Sequence, residues 1–120
     1  MKSKRAKPFA ANNASRKMLE ADGWTVGVVE QTIPHTFIKR DFLGFADLVI
    51  CSPSRGIAAV QVTGGGNLAA RAAKVRLEPR AAIWLASGGR IIIHDWVKRA
   101  GKKQRECRIL EITSQHEPTA

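Results

Sequence analysis

The chain lacks most of what would place it in several large classes of protein. Its only cysteines are Cys51 and Cys107, which excludes a cysteine-rich zinc site, and its three histidines, His35, His94 and His116, are too dispersed for metal-ligand spacing. No apolar run approaches the roughly 20 residues that a membrane helix needs. Lys2, Lys4, Arg5 and Lys7 are followed by Ala, Asn and Ser instead of an apolar stretch, which does not resemble a secretory signal, so a reduced, cytoplasmic protein is the expectation. There is no internal repeat, and no low-complexity segment beyond the glycine triplet Gly64, Gly65 and Gly66. With 120 residues and no linker between hydrophobic zones, the chain has room for one domain with one modest core, expected over 11–113.

Acidic residues are scarce. Ten Asp and Glu stand against 20 Lys and Arg, a formal net charge of +10 that repels itself unless a polyanion or counterions offset it. Nucleic acid is the commonest such partner; a merely soluble basic surface is the alternative. Membrane-surface binding is disfavoured, because no segment joins a basic face to large apolar side chains. Residues 1–10 read as a flexible basic arm able to follow a phosphate backbone or simply to stay solvated, and 114–120 as a loose tail.

Along the chain, Asn12, Asn13 or Ser15 is placed to cap a helix running to about Asp22, with Gly23 ending it. Valine-rich 24–30 predicts a strand, and 33–44, with Pro34, a loop or irregular hairpin arm. A second strand over 45–50 and a third over 57–63 are joined by turn residues Pro53 to Gly56 and should pair antiparallel. Asn67 is placed to cap a helix over about 68–77, a short further helix follows Pro79, and 90–97 and 105–112 read as strands joined by a basic turn. The fold class is α/β with a mixed central sheet flanked by helices.

Strand periodicity puts Gln61 and Thr63 on one face of the third strand, away from Val60 and Val62. A Gln in the middle of an apolar strand must find a partner, since burying it unpaired costs about 1–3 kcal/mol, and Asp47 among apolar neighbours poses the problem more sharply. A divalent cation shared by the Asp47 carboxylate, the Gln61 carbonyl oxygen and the Val62 backbone carbonyl would satisfy both. An ion-paired Asp47 beside Lys39, Arg40 or Arg55, and a satisfied core amide at Gln61, are the plainer alternatives.

The order helix, three-stranded meander, helix, strand, with Gly-x-x-Asp (Gly44 to Asp47) opening one strand and Gln-x-Thr (Gln61 to Thr63) closing the next, resembles the PD-(D/E)XK nuclease superfamily. The series Asp41-Phe42-Leu43-Gly44-Phe45-Ala46-Asp47-Leu48, Val60-Gln61-Val62-Thr63 and Asn67-Leu68-Ala69-Ala70-Arg71-Ala72-Ala73-Lys74 is also similar to that of small phage or prophage proteins. The resemblance spans roughly 12–97 and implies a restriction-endonuclease-like αβββαβ core, with Asp47 as central metal ligand and Gln61 in place of the second acidic ligand. The family's lysine position is Thr63, whose hydroxyl supplies no positive charge; Lys74, or failing it Arg71, would reach back from the following helix. Glu30, or Glu20 on the first helix, would restore a missing carboxylate. The resemblance implies Mg²⁺- or Mn²⁺-dependent hydrolysis of duplex or branched DNA in a bacterial cytoplasm, RNA remaining open, and a homodimer by analogy with the resolvases of that superfamily.

Lys39, Arg40, Arg71, Lys98, Arg99, Lys102 and Lys103 are the candidate phosphate contacts. The glycine triplet before Asn67 offers backbone amides to a phosphate but lacks the ending of a P-loop. Trp24, Trp84 and Trp96 read as packing residues, and His94 as a satisfied structural histidine. Three functions therefore follow: a nuclease, a catalytically inactive DNA-binding or regulatory module on the nuclease fold, or a phage protein that binds and inhibits a host protein.

Overall fold

Val- and Ile-rich strands dominate the secondary structure of the computed structural model, which describes residues 9–113. The elements in chain order are α1 (Ala11–Ala21), β1 (Thr25–Val28), β2 (Gln31–Thr32), β3 (Lys39–Arg40), β4 (Leu48–Ser52), β5 (Gly56–Gly64), α2 (Leu68–Arg76), α3 (Pro79–Ala86), β6 (Arg90–Lys98) and β7 (Arg105–Ile112). The expected tail and residues 1–8 of the expected arm lie outside the described residues; Phe9, at the arm's end, packs its ring on Trp96 at 5.6 Å and beneath Arg105.

Five strands form a mixed sheet in the order β1-β4-β5-β6-β7, and β2 pairs with β3 in a separate two-stranded arm. The tight turn at 53–55 makes β4 and β5 antiparallel, with Leu48 opposite Val60 and Ser52 opposite Gly56. The crossover through α2 and α3 brings β6 back parallel to β5, Gln61 opposite Ile93 and Thr63 opposite Asp95. Since β1 and β5 are both antiparallel to β4, the strands β1, β5 and β6 run the same way and end together.

Alternation along the strands splits the interior into two clusters, one on each side of the sheet, in place of the expected single core. Leu48, Ile50, Ala58, Val60 and Ile92 pack with Leu19 of α1 and with Trp24. Phe45, Ala59, Ile91, Ile93 and Ile112 pack with Ala72 and Val75 of α2 and Ala81 of α3. Gln61 shares the face of Ala59, so it emerges on the side of α2.

Two expected caps prove otherwise. The N-cap of α1 is Ala10, without a side-chain hydrogen bond, so Asn12, Asn13 and Ser15 lie inside the helix. Ser15 is fully buried because its hydroxyl is engaged elsewhere. Trp96 Nε1 donates to it at 2.8 Å, and it pairs with His94 Nδ1 at 2.9 Å. Asn67 does precede α2, but its side chain forms no cap bond; at α3 it is Glu78 that accepts from the Arg80 N–H, with Pro79 in the first turn. His94 and Trp96 are structural, as expected, and pin α1 to the sheet.

Removing the Ser15 hydroxyl takes its partner from buried His94 Nδ1 and part-buried Trp96 Nε1, so Ser15→Ala is expected to destabilise the fold by about 1–3 kcal/mol in chemical denaturation. Burial pushes the His94 pKa down from 6.5 to about 4. The unfolded chain therefore takes up a proton that the folded chain refuses, and stability contributed by neutral His94 is lost as pH falls from 6.5 to about 4. Stability curves of wild type and His94→Gln across that window should diverge on acidification.

Candidate metal centre

The segment from Asp41 to Asp47 is built to bring its two ends together. Phe42 and Ala46 form an isolated antiparallel bridge, each amide donating to the other's carbonyl at 2.8 and 2.9 Å. Between them Leu43 and Gly44 have φ of 53° and 78°, and the Phe45 N–H donates to Phe42 O at 3.1 Å, the pattern of a type I′ turn. The φ of Gly44 is one that glycine adopts without strain, and a side chain there would also displace the ends of Arg80 and Glu78. Phe42, Phe45 and Ala46 anchor this loop in the cluster under α2 and α3, while Asp41 and Asp47 emerge side by side.

Glu30 follows β1 and completes the group: carboxylate oxygens of Glu30, Asp41 and Asp47 all lie within 4.8 Å of one another. The backbone fixes this approach as well, because the Val29 and Glu30 amides both donate to Asp47 O, at 3.1 and 3.3 Å. Asp47 is buried, with 6% of its surface exposed, and its Oδ2 accepts the Val62 N–H at 2.7 Å. Beside it Gln61 is equally buried, and among the described residues its Oε1 has no hydrogen-bond donor.

This environment disfavours negative charge. Burial above all, with a hydrogen bond to Glu30 and the charges of Asp41 and Glu30, raises the Asp47 pKa from 3.8 to about 7, against the lowering effect of the Val62 amide. Lys39 offers partial compensation, its Nζ standing 3.7 Å from Glu30. Three convergent carboxylates, an orphaned amide oxygen and a raised pKa fit a hard divalent cation, whose ligands are oxygens and whose charge would remove the cost of ionising Asp47. Glu30, Asp41, Asp47 and Gln61 are the residues that would hold it.

A cavity of about 270 Å³ opens beside the cluster and is lined by Asp41, Gln61, Arg71, Lys74 and Glu78 among others. It brings Lys74 and Arg71 of α2 to the same place as Gln61. A second, wider cleft of about 690 Å³ also has Asp41 in its wall and runs between the β2–β3 arm and Arg80. Lys39 and Arg40 lie in that wall, Lys39 over Glu30. Lys98, Arg99, Lys102 and Lys103 sit around the β6–β7 turn, at the end of the sheet where β1, β5 and β6 all terminate, with Arg99 paired to Glu106 at 2.7 Å.

Among the expected site residues, Asp47, Gln61 and Glu30 converge. Val62 enters through its amide, and since N–H and C=O of a strand residue point to the same side, its carbonyl lies on the Asp47 side too. Thr63 is buried two residues further along β5, opposite Asp95, and does not line the cavity. Glu20 pairs with Arg16 on α1, the helix of the opposite face, and is no part of the cluster. In the glycine triplet the Gly66 N–H donates to buried Asp95 Oδ1 at 3.2 Å and the Gly65 N–H to Trp96 O at 3.4 Å, so these two amides are already engaged.

Sequence reasoning missed Asp41. Its one signal is Gly44 midway between two aspartates in Asp-Phe-Leu-Gly-Phe-Ala-Asp; Leu43, in a left-handed conformation that leucine rarely adopts, gives no cue to the turn. Arg80, beside Gly44 and clamped by Glu78 at 2.8 Å, was missed for want of any local signal.

Because the folded Asp47 pKa lies above the unfolded value, metal-free stability from its protonated form is full below about pH 4 and lost as pH rises to about 7. Asp47→Asn is therefore expected to stabilise the metal-free protein at pH 7.5 by about 1–3 kcal/mol and to flatten that slope in urea titrations. Mg²⁺ or Mn²⁺ should raise the thermal midpoint of the wild type and leave that of Asp47→Asn nearly unmoved.

Comparison of the chain with protein-family models, with curated proteins and with solved structures finds no match, so the reading of this centre rests on its own geometry.

Proposed function

We propose that the chain is a metal-dependent endonuclease of the PD-(D/E)XK kind, acting on DNA of duplex or branched structure. The observation that carries this reading is the Glu30, Asp41 and Asp47 cluster beside the orphaned Gln61 oxygen, with Lys74 lining the adjoining cavity. Support also comes from the order of elements, a helix, an antiparallel three-strand meander, then helices leading to a parallel strand. The net charge of +10 and the basic β6–β7 turn at the same end of the sheet match a polyanionic substrate.

A bound Mg²⁺ or Mn²⁺ would polarise a phosphoryl oxygen and lower the pKa of a water. Around it the chain supplies the rest. Asp47, seated by the Val62 amide, and Glu30 and Asp41 present the carboxylates, while Gln61 contributes a neutral oxygen and so leaves the site one negative charge weaker than a Glu would. Lys74 provides the positive charge that Thr63 cannot, offsetting charge on the pentacoordinate phosphorus and orienting the attacking water. Lys39, Arg40 and the β6–β7 turn hold the backbone phosphates. No helix among the described residues is long and apolar enough to cross a membrane.

Thr63 favours a second reading, a binding module that keeps the cluster without turnover. The two part on cleavage of labelled single-stranded, duplex, flapped and four-way DNA with Mg²⁺ or Mn²⁺. The nuclease predicts cleavage that Asp47→Ala abolishes and Lys74→Ala lowers by about 100-fold. Cleavage that survives Asp47→Ala would sink the metal centre, and salt-sensitive binding without cleavage by the wild type would leave the module.

A further inference from the structure

The β2–β3 arm joins β1 to Asp41 and therefore projects from the end of the sheet that carries the acidic cluster. Gln31 pairs with Arg40 and Thr32 with Lys39, and the tip beyond is an organised turn. Pro34 and His35 occupy its centre, His35 at φ 64°, and the Thr36 N–H donates back to Ile33 O at 3.2 Å, as in a turn with proline first and a left-handed residue second. The Thr36 hydroxyl donates to the same carbonyl at 2.8 Å and accepts the Ile38 N–H at 3.2 Å, while the Ile33 N–H donates to Ile38 O at 2.9 Å. These bonds fix the backbone on both sides of Phe37. Its ring is nonetheless wholly exposed, at 104%, and neighbouring Ile38 is 60% exposed. An apolar ring held into solvent by so many bonds contributes nothing to packing within the described fold.

We propose that Phe37 is a wedge that stacks on unpaired bases of the nucleic acid beside the cation site, so that the preferred substrate of that site is a strand with unstacked bases, such as a junction, flap or single strand. This inference rests on the nucleic-acid reading above. The flanks of the ring argue for that partner: Lys39 and Arg40 follow it on the arm, in a chain of net charge +10, so the apolar tip is bordered by cationic groups. The 690 Å³ cleft at the base of the arm runs from Ile33 and Ile38, beside the tip, past Lys39 and Arg40 to Asp41, so a strand stacked on Phe37 has a path to that carboxylate. Every base has a π-face, so such a wedge recognises disrupted stacking and not sequence.

The test compares wild type, Phe37→Ala and Phe37→Trp in EDTA at low salt for binding to single-stranded, four-way and plain duplex DNA, with thermal unfolding confirming that the variants are folded. Phe37→Ala is expected to lose about tenfold in affinity for single-stranded and four-way DNA while binding duplex as the wild type does. The added tryptophan of Phe37→Trp should restore that affinity and be quenched by the single strand. Unchanged single-strand and junction affinity in Phe37→Ala, or an equal loss on all three DNAs, overturns the wedge and leaves the nucleic-acid reading standing. A wild type that binds none of them overturns both and points to a protein partner for the arm.

Discussion

A single hydrogen bond governs the site, the one from the Val62 amide to the Asp47 carboxylate. Asp47 stands just before β4, where the ladder to β5 is ending, and its main chain is already engaged on both sides, donating to Val60 and accepting from Val29 and Glu30. Its side chain then has one place to go, onto the next amide of β5, and there it is closed over by the cluster under α2 and α3. The carboxylate is thus buried by the sheet itself, and the cost of that burial is what makes the surrounding oxygens a demand for positive charge.

Much of this was legible in the order of residues. The meander, the two helices of the crossover and the last hairpin follow from alternation of Val and Ile and from glycine, proline and asparagine between the runs. Asp47 and Gln61 stand out because each is a polar residue set among apolar ones, and the structure brings Asp47, just before β4, beside Gln61 of β5 and Glu30 just after β1. Their convergence needed only the antiparallel register.

What was not legible depended on closure through space. Asn12, Asn13 and Ser15 look like cap residues because side-chain oxygen close to a helix start satisfies amides; nothing local says that a tryptophan and a histidine some eighty positions away will claim the Ser15 hydroxyl. The glycine triplet looks like an anion cradle, but its Gly65 and Gly66 amides are taken by Trp96 and Asp95 of the neighbouring strand. Asp41 lies in a segment that reads as an irregular loop, and only the Phe42–Ala46 bridge sets it beside Asp47. In each case the residue type predicted the kind of interaction, and the partner came from tertiary structure.

The carboxylates and the Gln61 oxygen come from positions 30 to 61, all within or bordering the meander of β1, β4 and β5. Lys74 comes instead from the crossover, 65–89, that joins β5 to its parallel neighbour β6. The carboxylates and Lys74 are thus carried by different supersecondary units, and the packing of α2 on the sheet sets the distance between them.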